Sequence, residues 1–528
     1  METDAFPQSG CPRLTQLERV VVTAEQMAAI ESRVFAAGMP VAALMEKVAG
    51  LTVQRVIAQV GAAPRRIGVL VGPGHNGGDA LVIARELHLQ GYRVQCWQPI
   101  AQLKALTEQH ARYVASLGIP IVDSAQALAD CDAWVDGLFG VGLTRSLSDD
   151  LATAIHQLNG WSTAARPIVS IDLPSGLHTD TGTVLGAAVQ ATHTLCLGLW
   201  KRGLFREQAL AYVGQAELVD FGLPLADVAA VLGDLRELAV QRITPQGAIA
   251  ALPIPRAITA HKYQVGHLLL VCGSRQYPGA ALLSAKAAQA SGVGMLTVAV
   301  PESLMHLVVA QVPGAVVLGC SETAEGAIAH LPHDLDLSRY QAIACGPGLT
   351  RAAHAALDQA IASSVPLVLD ADGLNLLADL GLDAVRSRRA PTLLTPHLGE
   401  FRRLFPDLAE RLANDHLELA IAAADQSNCI VLLKGARMAI ATPQGRLWLN
   451  PQSTPALARG GSGDVLTGLL GGLLAQGQQR NTAPELSAQA AVWCHAQAGI
   501  HAAATRGELG VDALTLAESL PHVWQTLL

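Results

Sequence analysis

Short apolar runs alternate with longer Ala- and Leu-rich stretches along the whole chain. Uninterrupted apolar runs predict strands covered on both faces, and the alternation with helical stretches is typical of parallel α/β architecture. The first half has predicted strands at 67–71, 93–97, 133–136 and 168–172, and predicted helices at 24–37, 41–59 and 81–90. The second half has predicted strands at 267–272, 295–300, 342–345, 367–370, 392–395, 429–434 and 438–442, the last two as a possible hairpin, and predicted helices at 280–290 and 465–475.

The two halves differ in motif content and predict two different α/β domains. We expect a first domain over residues 1–225, a linker over 226–244, where no clear strand core appears, and a second domain over 245–528. A length of 528 residues allows about two to four domains at roughly 150 residues each. No repeat of fixed period interrupts this division.

Composition narrows the classes of function. The net charge is -8 with an isoelectric point near 6.1, which argues against nucleic acid as a partner. The nine cysteines are scattered without a C-x-x-C pair, so neither a zinc site nor a disulfide framework is indicated. Mean hydropathy is +0.32, yet no apolar run is long enough to span a bilayer, and the first twenty residues contain no apolar signal core. We expect a cytoplasmic protein without a membrane partner.

The first Gly-rich motif is Val-Gly-Pro-Gly-His-Asn-Gly-Gly-Asp at residues 71–79, between a predicted strand and a predicted helix. Gly72, Gly74 and Gly77 match G-x-G-x-x-G, but the next strand lacks the acidic residue of a dinucleotide site, and no Gly-Lys-Ser/Thr ends the loop. Alone, this segment predicts a tight strand-to-helix turn with Asp79 as the helix N-cap.

Two further strand ends change that interpretation. Asp136 and Asp172 each stand at the C-terminal end of a predicted apolar strand and precede Gly-rich turns. Ligands of open α/β sheets bind outside the carboxyl ends of the strands. Asn76, Asp136, Asp172 and Ser175 could therefore converge, giving oxygen ligands for a cation and one carboxylate for proton transfer.

These motifs resemble the NAD(P)H-hydrate epimerase domain, or YjeF N-terminal domain, over about residues 21–223. The resemblance implies a Rossmann-like three-layer fold, a K⁺ ion held by Asn76, Asp136 and Ser175, and Asp172 as catalytic acid/base. It also implies substrate contacts at His75, Asn76, Gly77, Gly78, Asp79, Gly140, Val141, Gly142, Leu143, Thr144, Arg145, Ser146 and Asp172. The chain departs from the family pattern at His75, Ala80 and Val141.

The strongest motif of the second half is Arg-Gly-Gly-Ser-Gly-Asp at residues 459–464. Successive glycines before a helix form an anion hole from backbone N–H groups and the helix dipole. Asp464 at its mouth can deprotonate a hydroxyl that attacks a phosphoryl group; the alternative is a simple N-cap.

Other predicted strand ends of this half carry supporting segments. Asp370 and Asp372 could hold Mg²⁺ through water or cap a helix, with equal weight on the residues alone. Lys434 and its neighbours could bind a nucleotide. His495 and His501, on an Ala-rich stretch, are predicted to serve packing or to lie at the surface.

The combined motifs resemble the ribokinase-like fold and, within it, the NAD(P)H-hydrate dehydratase family, over about residues 245–520. The resemblance implies substrate contacts at Ala280, Gly348, His397 and Asp464, the last being catalytic, together with Mg²⁺ and ADP as co-substrate. It implies nucleotide contacts at Lys434, Gly435, Ala436, Arg437, Met438 and Gly463. Met438 replaces the usual Thr, and residues 450–459 form a longer approach to the anion hole than in the family.

An epimerase joined to a dehydratase would restore both epimers of hydrated NADH and NADPH (NADHX and NADPHX). Two alternatives stay open on the residues: a ribokinase-like small-molecule kinase with an N-terminal ligand-binding domain, and a non-enzymatic N-terminal binding module. Loss of Asp136 or Asp172 would have favoured the second alternative, but both are present. We expect a homo-oligomer, although no residue pattern fixes the assembly.

Overall fold

The computed structural model describes residues 12–412 and 415–527. The chain divides into two compact units, Met1–Leu238 and Ala239–Leu528. Part of the segment on which the absence of a signal core was argued, residues 1–11, lies outside the described residues. Each unit is an α/β domain built on a largely parallel sheet, which confirms the predicted fold class.

The helices of the first unit alternate with its strands. The helices are α1 (Pro12–Leu17), α2 (Ala24–Ala36), α3 (Val41–Val60), α4 (His75–Leu89), α5 (Ala105–Ser116), α6 (Asp149–Trp161), α7 (Leu210–Val213) and α8 (Leu225–Leu232). The strands are β1 (Val21–Val22), β2 (Arg66–Val71), β3 (Arg93–Trp97), β4 (Ile121–Val122), β5 (Ala133–Gly137), β6 (Ile168–Ile171), β7 (His193–Leu197), β8 (Trp200–Lys201) and β9 (Gln215–Val219).

Seven of these strands form one parallel sheet in the order β4-β3-β2-β5-β6-β7-β9. The chain moves outward in one direction from β2 and in the other from β5, so the order reverses between these two strands. Loops at such a reversal separate and leave a crevice at the carboxyl ends of the strands, where open α/β sheets bind ligands. The first two sequence motifs follow β2 and β5 directly.

The second unit has its own strands and helices. The strands are β10 (Val240–Arg242), β11 (His267–Val271), β12 (Met295–Pro301), β13 (Val316–Glu322), β14 (Ile328–His330), β15 (Ala342–Cys345), β16 (Leu367–Leu369), β17 (Thr392–Leu394), β18 (Ile430–Leu433), β19 (Ala439–Ala441) and β20 (Leu447–Leu449). The helices are α9 (Pro245–Ala250), α10 (Pro278–Ala290), α11 (Met305–Gln311), α12 (His354–Ala362), α13 (Asp372–Leu380), α14 (Asp383–Arg386), α15 (Leu398–Leu404), α16 (Pro406–Arg411), α17 (His416–Ser427), α18 (Ser462–Gln479), α19 (Pro484–Arg506) and α20 (Ala513–Leu527).

These eleven strands join in the order β10-β20-β19-β18-β17-β16-β15-β11-β12-β13-β14. The run from β18 to β13 is parallel, and the predicted hairpin of β18 and β19 is confirmed as an antiparallel pair. Helix α18 is predominantly apolar, and its buried Leu469, Leu470 and Leu473 belong to the core of this unit. This packing aims the N-terminus of α18, with the Gly-rich loop before it, at the carboxyl ends of the strands.

The structure differs from the predicted elements at two places. The expected linker contains helix α8 and strand β10, and β10 pairs in parallel with β20. Helix α4 begins at His75, six residues before the predicted start, so the Gly-Gly pair lies within its first turns. The eight described cysteines are buried and free, while Cys11 lies outside the described residues. Among the described helices, none has the length and apolar character needed to cross a bilayer.

Candidate active sites

A cavity of about 430 Å³ opens in the first unit at the reversal between β2 and β5. Residues from α2, α3, the start of α4, the loop after β5 and the ends of β6 to β8 line it. Of the predicted contact residues, those lining the cavity are His75, Asn76, Asp79, Gly140, Val141, Gly142, Leu143, Thr144, Arg145 and Asp172. Gly77, Gly78 and Ser146 do not line it.

The turn from β2 into α4 is set by close backbone packing. A Cβ atom at Gly72 would collide with the carbonyl of Leu138 in the loop after β5, so only glycine lets these two loops meet. Gly74 is the N-cap of α4, and it offers no capping side chain. The predicted N-cap role of Asp79 is therefore wrong. Asp79 instead lies in the second turn of α4, buried beside the cavity.

Asp136 is the centre of a buried polar cluster. Its carboxylate accepts hydrogen bonds from the backbone N–H and hydroxyl of Ser175, at 2.9 and 2.6 Å, and from the hydroxyl of Ser170, at 2.8 Å. Burial raises the pKa of Asp136, and the hydrogen bonds from Ser175 and Ser170 oppose that rise. No described cationic side chain forms an ion pair with it.

Asn76 lies against the same loop. Its side-chain amide is next to Gly140, and its buried Nδ2 has no hydrogen-bond partner among the described residues. Amide oxygen and nitrogen are exchanged by a flip of the side chain, so the group can present an oxygen instead. A buried carboxylate without a counter-ion, with a hydroxyl and an amide beside it, suits a weakly hydrated monovalent cation. The residues present therefore fit the cation implied by the resemblance.

Asp172 has a different surrounding from Asp136. It forms a buried ion pair with Lys201, and it also accepts hydrogen bonds from the backbone N–H groups of Val141, at 3.2 Å, and Leu197, at 3.3 Å. Its φ is 67°, in the left-handed region that non-glycine residues seldom adopt. Such strain collects at functional sites, where the surrounding structure holds it in place.

The same cavity is lined by three acidic side chains, Glu31, Asp79 and Asp172, and by three basic ones, Lys104, Arg145 and Lys201, of which only Lys201 is buried. Burial raises the pKa of Asp79 well above its usual value, and the charges of Asp172 and Glu31 add to that rise. Burial also raises the pKa of Glu31. Burial is the largest single influence on the pKa of Lys201 and lowers it, but the charges of Asp172, Cys196 and Glu31 and the hydrogen bond to Asp172 together raise that pKa. The cavity therefore combines one buried ion pair with two carboxyl groups whose pKa is raised.

The second unit has a cavity of about 540 Å³ at the carboxyl ends of its strands. The predicted substrate contacts Ala280, Gly348 and Asp464 line it, together with Gly460 and Gly461 of the Gly-rich loop. His397 does not line the cavity. It is the N-cap of α15, where its Nδ1 accepts from Gly399 N–H, and its neighbour Glu400 reaches the cavity instead.

Asp464 lies in the first turn of α18 rather than at its cap. The N-cap is Gly461, with φ 89°, and no side chain caps this helix end. The simple N-cap interpretation of Asp464 is therefore wrong. The N–H of Ser462 donates to the carbonyl oxygen of Arg459 at 3.3 Å, and the N–H groups that follow it in the first turn of α18 are open to an anion. Burial raises the pKa of Asp464 to about 7; Asp370 adds to the rise and Lys434 opposes it.

Lys434 is the cationic centre of this site. Its Nζ donates to Asp370 at 2.6 Å and lies 3.8 Å from a carboxylate oxygen of Glu400. Asp370 also accepts from the hydroxyl of Thr467, at 2.5 Å. A Cβ atom at Gly463 would lie 3.4 Å from Lys434 Nζ, which places the loop directly beside this charge. Lys434 is thus aimed at the anion hole.

The other predicted nucleotide contacts lie between β18 and β19. Gly435 and Ala436 are exposed, and Arg437 is half-buried. Met438 is also half-buried and packs against the hydrophobic core of the unit. The side chain that replaces the family's Thr is therefore held by packing.

His495 supports the Gly-rich loop from behind. It is 1% exposed, and its Nε2 lies 3.0 Å from the carbonyl oxygen of Ser462. Burial lowers the pKa of His495 to about 4, so the ring is neutral and donates from Nε2. The predicted packing role of His495 is confirmed by its burial. The ring also forms a hydrogen bond to the first residue of α18, which was not predicted. His501 stacks on His522 with ring centroids 3.5 Å apart.

Sequence reasoning missed Lys201, Glu31 and the partnership of Lys434 with Asp370. Only Lys201 left a signal, as a charged residue within the largely apolar segment Leu197–Leu204. Among the residues the structure describes, no group of three or more His, Cys, Asp or Glu side chains is placed to hold a metal ion. The described part of the second unit therefore offers no cluster of side chains that would hold the expected Mg²⁺ without other ligands.

Similarity to known proteins follows the same division of the chain. The profile of the NAD(P)H-hydrate dehydratase family matches residues 268–522, and that of the YjeF-related protein N-terminus matches residues 41–203. The bifunctional NAD(P)H-hydrate repair enzyme of Synechocystis sp. is 53% identical over 95% of this chain and 94% of its own length. The enzyme of the same name from Thermosynechococcus vestitus is 52% identical over 96% of this chain and 98% of its own length.

Among solved structures, the ADP/ATP-dependent NAD(P)H-hydrate dehydratase of Bacillus subtilis, co-crystallized with ATP and Mg²⁺, is 33% identical. The match covers 54% of this chain and 98% of that protein, with a TM-score of 0.47. The repair enzymes of Synechocystis sp. and Thermosynechococcus vestitus, by contrast, are 53% and 52% identical to this chain over a length that includes both units. This chain therefore belongs to the family of bifunctional NAD(P)H-hydrate repair enzymes.

Proposed function

We propose that this chain repairs hydrated NADH and NADPH in two steps, epimerising NADHX and NADPHX in the first unit and dehydrating the S epimer in the second. One observation carries the proposal: each unit has a cavity at its strand ends, and each cavity has a partly or fully buried aspartate, Asp172 or Asp464, beside a lysine. The two aspartates serve different chemistry because their surroundings differ.

In the first unit, Asp172 is the acid/base for epimerisation. Its ion pair with Lys201 and its two backbone donors fix the carboxylate at the cavity wall. The contact residues of the α4 turn and of the loop after β5 would hold the hydrate. Lys201 balances the charge of Asp172 when that carboxylate is ionised.

Asn76, Asp136 and Ser175 would hold K⁺ in this unit. The bound ion would neutralise the buried carboxylate of Asp136 and so tie the loop after β5 to the turn before α4. Asp136 takes no part in proton transfer, because its carboxylate is fully buried and hydrogen-bonded to Ser170 and Ser175.

In the second unit, Asp464 deprotonates the hydroxyl of the hydrate, which attacks the terminal phosphoryl group of ADP and releases AMP. The N–H groups of Gly461 and Gly463 and the charge of Lys434 stabilise the phosphoryl oxygens during transfer. Elimination of phosphate, with loss of a proton from the neighbouring ring carbon, then restores the dihydronicotinamide. Mg²⁺ would enter with the nucleotide, because it keeps phosphate and water oxygens as most of its ligands.

Phosphorylation makes this elimination feasible. Water, the conjugate acid of hydroxide, has a pKa of about 15.7, and a phosphate monoester has a relevant pKa of about 6. The gap of roughly ten units corresponds to at most about 13 kcal/mol at 1.36 kcal/mol per unit. A phosphorylated hydrate captures part of that difference.

The test gives the purified chain NADHX with ADP, then with ATP, and follows the absorbance of the dihydronicotinamide ring. We expect NADH to form from the S epimer with ADP. Asp464→Asn should abolish dehydration and leave epimerisation intact, whereas Asp172→Asn should leave the R epimer unused. A stable phosphorylated product with no NADH would instead indicate a kinase.

A further inference from the structure

Epimerisation of a hydrated nicotinamide needs protons at two atoms. Water adds to the ring carbon next to nitrogen, because the cation formed there is stabilised by the nitrogen lone pair. The product carries its hydroxyl and its ring nitrogen on the same carbon. Opening that ring removes the hydroxyl proton and delivers a proton to nitrogen, so a base at the oxygen and a separate acid at the nitrogen would serve both transfers at once.

The cavity of the first unit supplies a second group on a separate element. Glu31 comes from α2, whereas Asp172 follows β6, and both line the cavity. Glu31 is half-buried, so its carboxyl group reaches the cavity without being fixed in the core. Three carboxyl groups, those of Glu31, Asp79 and Asp172, share this space with the single buried ammonium of Lys201.

The charges around the three carboxyl groups indicate which of them is a base and which are acids. Lys201 neutralises Asp172 through the ion pair, whereas Glu31 and Asp79 form no ion pair among the described residues. The other two cations of the cavity wall, Lys104 and Arg145, are exposed. Ionising all three carboxyl groups would concentrate negative charge in a partly closed cavity, which favours the protonated form of the two acids that have no ion pair. The raised pKa of Glu31 agrees with this balance. Asp79 is held in the second turn of α4, 8% exposed, which leaves Glu31 as the more accessible donor.

We propose that Glu31 is the second proton-transfer residue of epimerisation, acting as the acid that protonates the ring nitrogen while Asp172 acts on the hydroxyl. This inference rests on the proposed epimerase function. Asp172 takes the hydroxyl proton, the C–O bond becomes a carbonyl, and the C–N bond breaks with its electron pair moving to nitrogen. Glu31 gives its proton to that nitrogen, so an open-chain aldehyde forms.

Closure completes the reaction without any oxidant or reductant. Rotation about the bond next to the aldehyde exposes its other face to the nitrogen. The nitrogen attacks that face, its proton returns to Glu31, and the new alkoxide takes back the proton held by Asp172. The ring is restored with the opposite configuration, and both carboxyl groups return to their starting states.

The test uses the full chain and the purified R epimer of NADHX without nucleotide, so that no dehydration occurs, with R and S forms separated by chromatography. Glu31→Gln keeps the size of the side chain and removes its acid. We expect kcat for epimerisation to fall about 100-fold or more, the scale of lost acid catalysis, with KM within threefold. Glu25→Gln, an exposed acid-to-amide change on the same helix, is the matched control and should match the unchanged chain.

Three further readouts separate the outcomes. Dehydration of the S epimer with ADP should be unchanged in Glu31→Gln, and its melting temperature should not fall, because an acid without an ion pair is removed. Glu31→Asp should recover part of the lost kcat, and this variant decides the matter if Glu31→Gln melts early. A kcat for Glu31→Gln within threefold of the unchanged chain, or a loss confined to KM, would overturn the role of Glu31. An unchanged chain that does not interconvert the epimers would overturn the epimerase proposal itself.

Discussion

Lys201 and Asp172 form an ion pair in which both side chains are almost excluded from water, at 1% and 9% exposure. Lys201 belongs to the two-residue strand β8, and Asp172 follows β6 in a left-handed backbone conformation. The lysine also donates to the carbonyl oxygen of Leu197, at 2.5 Å, so its position is fixed independently of the carboxylate. The pair therefore holds the carboxylate of Asp172 in one place.

Replacing Lys201 by Met should abolish epimerisation and destabilise the first unit. The substitution leaves the carboxylate of Asp172 buried without its cation, a loss of about 3–5 kcal/mol for a broken buried pair. Thermal unfolding and the epimerisation rate are the measurements. The double variant Lys201→Met with Asp172→Asn should recover stability without recovering activity. Full activity in Lys201→Met would contradict the assigned role of the pair.

The pH dependence of dehydration should follow Asp464. Burial raises its pKa to about 7, and the base must be ionised to accept the hydroxyl proton. We expect kcat/KM of dehydration to be constant above that pH and to fall tenfold per unit below it. Asp464→Asn should lose the reaction at every pH. A flat profile from pH 5.5 to 9 would exclude Asp464 as the base.

Raising the pH should increase the activity that depends on Asp464 but decrease the stability that Asp464 contributes to the fold. A carboxyl group whose pKa is raised on folding contributes its full stability below its unfolded pKa, and this contribution is lost as pH rises from there through the folded pKa of about 7. Asp464→Asn should therefore unfold at a higher temperature than the unchanged chain at pH 8.5, with a free energy of unfolding larger by about 1–2 kcal/mol after allowing for the partial exposure of Asp464. Differential scanning calorimetry at pH 8.5 and 5.5 measures the change, which should be smaller at the lower pH.

Residues directly after strands were the ones that sequence could predict. Asp136, Asp172 and Asp464 each adjoin a Gly-rich turn at a strand end or helix start, and local pattern alone brings those positions to the ligand edge of a sheet. Glu31 could not be found in this way, because one acid on an amphipathic helix resembles a solvent-facing residue. Only the fold places it beside Lys201, about 170 residues later in the chain.

Boundaries were missed where tertiary pairing decides the structure. Strand β10 has only three residues, Val240–Arg242, and its strand conformation comes from pairing with β20, about 200 residues away. The early start of α4 was hidden by Gly77 and Gly78, which have poor helix propensity. Close packing against Gly72 and Met45 requires glycine at these positions. Helix propensity reflects the low helix stability of glycine, but it does not include the tertiary packing that offsets this loss.

Potassium should stabilise the first unit if Asp136 is the centre of a cation site. At a tenfold excess over its Kd, a bound ion adds about 1.4 kcal/mol, and a unit of this size then melts about 3–6 °C higher. Thermal unfolding in KCl and in choline chloride of equal ionic strength measures the difference. Asp136→Asn should remove the K⁺ dependence, because the buried charge is gone. Equal melting temperatures in both salts for the unchanged chain would exclude this site.

The hydrogen bond from His495 to Ser462 should control nucleotide affinity. The ring fixes the carbonyl of the first residue of α18, next to the N–H groups proposed to hold the phosphoryl oxygens. His495→Phe removes the donor and leaves a buried carbonyl without it, so we expect KM for ADP to rise at least tenfold while epimerisation is unchanged. His495→Gln keeps an N–H donor and should stay within threefold of the unchanged chain.

A pH measurement tests whether the ring of His495 is held neutral behind the loop. The pKa of His495 is lowered by burial to about 4, from about 6.5 when the chain is unfolded. A group with a lowered basic pKa stabilises the folded chain above the unfolded value, and that contribution is lost as pH falls towards 4. The unchanged chain should therefore lose more stability between pH 6.5 and 4 than His495→Gln, which has no titrating ring at this position. Equal losses in the two proteins would mean that the ring is not held neutral behind the loop.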